Sequence, residues 1–143
     1  MARYRMRLRT DRSAVDAFAY LADLRNFADW DPGVASSEQV AGSGPGLGAA
    51  YDVDASGSVL RYEVDVFDAP HRIRAHARNR WITSVDTISV AVDGRGSIVT
   101  YDADVRLNGI LRIGDPIFGL VFRRIGDRAR DGLAETLGGT PVR

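Results

Sequence analysis

Asp86 has the most chemistry to offer of any residue in this chain. It lies in segment 82–92, where Ile88, Val90 and Val92 recur at alternate positions, and that period places Ser84 and Asp86 on the same face. An inward carboxylate loses its water, so its pKa rises unless hydrogen bonds or an opposite charge hold it. It then serves as a ligand contact or as a general base. The structural alternatives are a bulge, an open strand end in water, or an arginine partner. Tyr51, Tyr62 and Tyr101 also fall in phase with the apolar residues of their strands. They either pack as core with a satisfied hydroxyl or supply hydrogen-bonding groups that orient a ligand in an apolar pocket.

Other candidates for chemistry read as ordinary structure. His71 follows Pro70 in a turn and His76 alternates with Arg74 and Arg78, so both belong to the surface. With 2 histidines and no cysteine a catalytic zinc site is hard to assemble, and no metal is expected. Gly44-x-Gly46-x-x-Ala49 has the form of a dinucleotide fingerprint, but Tyr51-Asp52-Val53-Asp54 continues as a strand where that motif needs a helix. It is a turn, and no cofactor is expected. The carboxylate pairs Asp52/Asp54 and Asp102/Asp104 alternate with apolar residues and should be solvated. The 19 basic residues are all arginine, which excludes a Schiff-base lysine and a phosphate-loop lysine.

The elements that position these residues follow from the hydrophobic period. Tyr4, Met6 and Leu8 alternate with Arg3, Arg5, Arg7 and Arg9 as a half-buried strand. Cap candidates at Thr10–Ser13 precede Val15, Phe18, Ala19 and Ala22 at helical spacing, and a second short helical turn carries Leu24, Phe27 and Trp30 before Pro32-Gly33. From about residue 34 the period is that of strands. Leu60, Tyr62, Val64 and Val66 share one phase, as do Ile73, Ala75 and Ala77, and then Val99, Tyr101, Ala103, Val105 and Leu107. Asp93-Gly94-Arg95-Gly96 reads as a hairpin turn. From Asp115 to Leu137 the helical period returns, with Phe118, Phe122, Ile125, Ala129, Leu133 and Thr136 on one face. Gly119, Gly126 and Gly132 within it imply close packing or a need for space. Antiparallel strands with segregated helices give an α+β architecture, and small inward Ala75, Ala77 and Ala103 favour a gap between sheet and helix. Trp30 and Trp81, near loop ends, read as packing anchors.

Composition bounds the function. At 143 residues the chain fits one domain, taken as 1–143, and 19 acids balance 19 bases, so no net field steers it to nucleic acid or to an anionic membrane. Without cysteine there is no disulfide, and no stretch is long and apolar enough for membrane insertion. The alternating N-terminus lacks a signal core, so a soluble, cytoplasmic protein is expected.

Several motifs carry a resemblance. Phe18-Ala19-Tyr20-Leu21-Ala22-Asp23 running into Asn26-Phe27-Ala28-Asp29-Trp30-Asp31-Pro32, Gly44-Pro45-Gly46-Leu47-Gly48 before a strand, Pro70-His71-Arg72-Ile73, and the final helix resemble the START-like helix-grip superfamily (SRPBCC), in particular its polyketide cyclase/dehydrase and lipid-transport branch. The resemblance spans essentially the whole chain. It implies a helix-grip fold, with a curved antiparallel sheet of about seven strands wrapped around a long C-terminal helix and two short helices after the first strand. It also implies a hydrophobic cavity between sheet and helix, and makes the first and last long strands neighbours, so Arg3, Arg5, Arg7 and Arg9 face Asp102 and Asp104 in cross-strand ion pairs or form a partner patch.

The first expectation for function is binding of an apolar small molecule, lipid-like, polyketide-like or aromatic. Phe118, Phe122, Ile125 and Ala129 would line the helix side, and Tyr51, Tyr62, Asp86 and Tyr101 the sheet side. The alternative is a cyclase or dehydratase in which Asp86 abstracts a proton α to a carbonyl while a tyrosine holds the oxyanion. A third is a toxin-like or co-chaperone-like protein-interaction module using the charged outer sheet.

Overall fold

A computed structural model describes residues 2–55, 57–108 and 115–142, with side chains of the last helix described from Leu120 onward. Strand β1 (Ala2–Thr10) buries Met6 and Leu8 and exposes Arg3, Arg5 and Arg7. Helix α1 (Ala14–Ala22) is capped by Ser13, whose Oγ accepts from the Asp16 N–H at 3.1 Å. That start point puts the apolar stripe on Ala14, Ala17, Phe18, Leu21 and Ala22. Val15, expected in the stripe, is one position out of phase and 63% exposed. A tight turn over Leu24–Asn26 leads into the short helix α2 (Phe27–Trp30).

An antiparallel meander follows: β2 (Val34–Ala41), β3 (Ala50–Ala55), β4 (Ser58–Asp68), β5 (Arg72–Arg78), β6 (Ile82–Asp93) and β7 (Gly96–Leu107). The register of β4 against β5 shifts between Val64 and Val66, so Phe67 rather than Val66 joins the core, edge-to-face with Phe18 at 5.6 Å. The Gly44–Ala49 segment is the β2–β3 connection, and a strand follows it, not a helix. Asp93 pairs with Gly96, which makes Gly94-Arg95 the hairpin loop.

Helix α3 (Asp115–Leu137) crosses the inner face and β8 (Thr140–Val142) returns to pair with Arg7–Arg9 of β1. Among the described residues the sheet order is β2-β3-β4-β5-β6-β7-β1-β8, eight strands where about seven were expected. The additional strand has 3 residues, too few for an alternating pattern to appear in the sequence. The architecture is α+β, with the concave face closed by the helices. None of the described helices is long and apolar enough to cross a membrane.

Two glycines explain how α3 is seated. A Cβ at Gly126 would lie 2.5 Å from the Tyr4 ring, and one at Gly132 would lie 2.0 Å from the Trp30 carbonyl oxygen. Leu133 and Leu137 are buried beside them, and Thr10 Oγ1 donates to the Leu137 carbonyl at 2.8 Å, tying the helix end to β1. The contacts predict opposite signs for propensity and packing. Gly→Ala in an open helix gains about 1 kcal/mol, whereas forcing a methyl into a filled site costs about 1–3 kcal/mol. Gly132→Ala, facing backbone, should destabilise by about 1–2 kcal/mol in urea unfolding, and Gly126→Ala, facing a half-buried side chain that can shift toward solvent, by less. A stabilised Gly132→Ala would mean that α3 does not approach Trp30.

Candidate functional site

Asp86 sits mid-strand on β6, paired with Ala75 of β5 on one side and Ala103 of β7 on the other. These small neighbours leave room for larger side chains to reach over them. Tyr101 lies two residues before Ala103 on β7, and Tyr62 lies on β4, opposite Ala77 of β5. Both tyrosines and Ser84 turn inward and are buried with Asp86.

The four residues form one hydrogen-bond cluster. Ser84 Oγ donates to Asp86 Oδ1 at 2.6 Å, and the Tyr62 hydroxyl donates to Ser84 Oγ at 3.2 Å and stands 3.5 Å from Asp86 Oδ1. The Tyr101 hydroxyl donates to Asp86 Oδ2. Burial raises the pKa of Asp86, and the Ser84 and Tyr101 donors, with the Tyr62 hydroxyl close by, oppose that rise. Burial and the Asp86 charge raise both tyrosines well above the usual phenol range, so they stay protonated.

Aromatic packing fixes the tyrosines. Phe27 stacks on Trp30 with centroids 4.7 Å apart; Trp30 meets Tyr101 edge-on at 5.6 Å, and Phe27 meets Tyr62 at 6.5 Å. Trp30 is therefore the anchor expected from the sequence. Trp81 is instead 49% exposed, with the Arg80 guanidinium over its ring, because it sits in the β5–β6 connection and not beneath a helix.

A cavity of about 180 Å³ opens beside the cluster. Met6, Val53, Leu60, Ala103 and Val105 line it from the sheet, Phe27 from α2, and Phe122, Ile125, Gly126 and Ala129 from α3. Of the residues singled out in the sequence, Tyr62, Asp86, Tyr101, Phe122, Ile125 and Ala129 reach its wall. Tyr51 does not: it is fully buried directly opposite Tyr62 in the β3–β4 register, off the cavity wall. The side chain of Phe118 falls outside the described residues. Ala103 borders the cavity, whereas Ala75 and Ala77 do not.

Asp31, which the sequence reading did not single out as a site residue, also lines the cavity. It follows α2 and is buried; its Oδ1 accepts from the Gly33 N–H at 2.8 Å. Asp-Pro-Gly reads as a helix stop, and no period exists there to tell which way the side chain turns. Burial pushes its carboxyl up to about 6, with the Gly33 N–H opposing and the Asp86 charge adding.

The outer face of the sheet carries ion pairs between neighbouring strands. Arg3 bridges to Asp102 at 2.6 Å, Arg61 to Asp52 at 2.8 Å and Arg74 to Asp65 at 2.8 Å. His76 Nδ1 lies 2.9 Å from Asp65, and His71 is exposed. Such partly exposed pairs contribute little to stability; Asp104, expected to be solvated, instead has its Oδ1 buried with no hydrogen-bond partner among the described residues. Among the described residues no group of three or more His, Cys, Asp or Glu could hold a metal.

The native state binds the Asp31 proton more tightly than the unfolded chain, where the ordinary value is 3.8. Stability from this group therefore falls as pH rises between about 4 and 6. Asp31→Asn removes that dependence and keeps the acceptor for Gly33. The stability of wild type relative to Asp31→Asn should drop by roughly 2–3 kcal/mol from pH 4 to pH 7. Parallel pH curves in chemical denaturation would contradict the burial of this carboxyl.

The family described as polyketide cyclase / dehydrase and lipid transport matches residues 1–138. A START superfamily protein from Mycobacterium smegmatis superposes with a TM-score of 0.77 at 14% identity, over 96% of this chain and 98% of that one. The protein XoxI from Bacillus cereus gives 0.71 at 16% identity, over 96% of each chain. A major latex-like protein from Panax ginseng gives 0.57 at 12% identity, over 89% of this chain and 97% of that one. No curated protein matches the sequence.

Proposed function

Because the chain belongs to the polyketide cyclase / dehydrase and lipid transport family, we propose that it binds an apolar small molecule between the sheet and α3. The observation that carries this reading is the cavity itself: a largely apolar wall with a hydrogen-bonded polar cluster set into it around Asp86. Burial of the ligand's apolar surface drives binding, and the cluster orients it. The size narrows the class. An apolar protein cavity of about 150 Å³ holds benzene, so about 180 Å³ suits one ring with a short substituent better than an extended acyl chain.

A second reading uses the same buried carboxylate. Asp86 would take a proton α to a carbonyl, with a tyrosine hydroxyl on the developing oxyanion. It has less support, because both Asp86 oxygens already accept from the protein's own hydroxyls. Under it, Asp86→Asn keeps the bound compound and loses its conversion, read by mass spectrometry of the extracted ligand.

Filling the cavity tests the main reading. Ala and Leu have nearly equal helix propensity, so Ala129→Leu adds volume at the α3 wall with little backbone effect. The variant should keep or raise its Tm and lose at least tenfold in affinity for a small aromatic probe such as ethylbenzene. Unchanged affinity would place binding elsewhere.

A further inference from the structure

Among the described residues, the polar side chains lining the cavity have no proton left to donate to a ligand. A hydroxyl carries one proton. Ser84 and Tyr101 spend theirs on Asp86, and Tyr62 spends its on Ser84. The Tyr4 hydroxyl, near the outside, donates to Asp127 at 2.8 Å. What these groups turn to the cavity is lone pairs.

Asp31 adds a further acceptor. The residue is nine-tenths buried on the cavity wall, and among the described residues its one hydrogen bond is from the Gly33 N–H to Oδ1, which leaves Oδ2 for a ligand. Two carboxylates thus border one small apolar space. The chain has 19 basic side chains, all arginine, yet among the described residues lining the cavity there is no arginine or histidine to answer them. Buried carboxylates without a counter-charge are costly, and the cost is relieved by whatever brings a positive charge. The lining also includes the aromatic rings of Phe27, Tyr62, Tyr101 and Phe122, a type of group that attracts a cation.

We infer that the ligand is a small apolar amine, whose ammonium donates to Asp31 Oδ2 and to the Tyr62–Asp86–Tyr101 cluster while its ring or short chain fills the apolar end. This rests on the reading of the cavity as a binding site and specifies the ligand's charge and hydrogen-bond character. A neutral ligand bearing only acceptors would meet acceptors, and an anion would meet two carboxylates.

The test is isothermal titration of the whole protein at neutral pH with phenethylamine, phenethyl alcohol, acetophenone, phenylacetate and ethylbenzene. Phenethylamine should bind at least tenfold more tightly than the alcohol and the hydrocarbon, and phenylacetate should bind most weakly. In Asp31→Asn the preference for amine over ethylbenzene should fall tenfold or more; Asp86→Asn provides the same readout should Asp31→Asn fold poorly. If acetophenone, the alcohol or ethylbenzene matches the amine, or phenylacetate exceeds it, the amine assignment fails and apolar binding stands. If none of the five binds at millimolar concentration, both fail.

Discussion

Gly132 of α3 sits so near the Trp30 carbonyl that an added methyl would come within 2.0 Å, and much of the molecule depends on that approach. It lets the long helix lie against α2. The Trp30 ring, fixed from that side, stacks on Phe27 and meets Tyr101 edge-on. Tyr101 in turn holds one oxygen of Asp86, and Asp31 follows Trp30 directly in the chain. Helix seating, the aromatic stack and both buried carboxylates are therefore parts of one packed unit, and a shift of α3 at Gly132 would be felt at every member.

That coupling explains which parts of the site could be seen in the sequence. Alternation along β6 put Ser84 and Asp86 on the inner face without knowledge of any partner, and the same period turned Tyr62 and Tyr101 inward. Alternation gives the face but not the position on it. Tyr51 obeys the period as well as Tyr62 does, and it is buried, yet it misses the cavity. Asp31 carried no signal, because it lies in a turn between a helix of 4 residues and a strand, where neither period applies. Val15 shows a different limit. The position of the Ser13 cap decides the phase of α1, and several cap candidates precede it in the sequence.

The two faces of the sheet treat charge in opposite ways. Outside, arginines and aspartates pair across neighbouring strands in water, as Arg61 does with Asp52. Inside, Asp86 is held by neutral hydroxyls, whose dipoles oppose its loss of solvent without neutralising it. A guanidinium in that place would complete the pair and fill the space. Hydroxyl donors leave both the charge and the volume.

Strand β8 bears on a different matter, the behaviour of the chain at high concentration. The edge of a sheet invites pairing with another copy, and β1 would otherwise be such an edge along Arg7–Arg9. The chain covers it with three of its own residues, the central one Pro141, which has no N–H to donate. A strand so short and so deficient in donors is a poor template for the next, so growth of the sheet into an aggregate is discouraged at the end where the chain itself stops pairing.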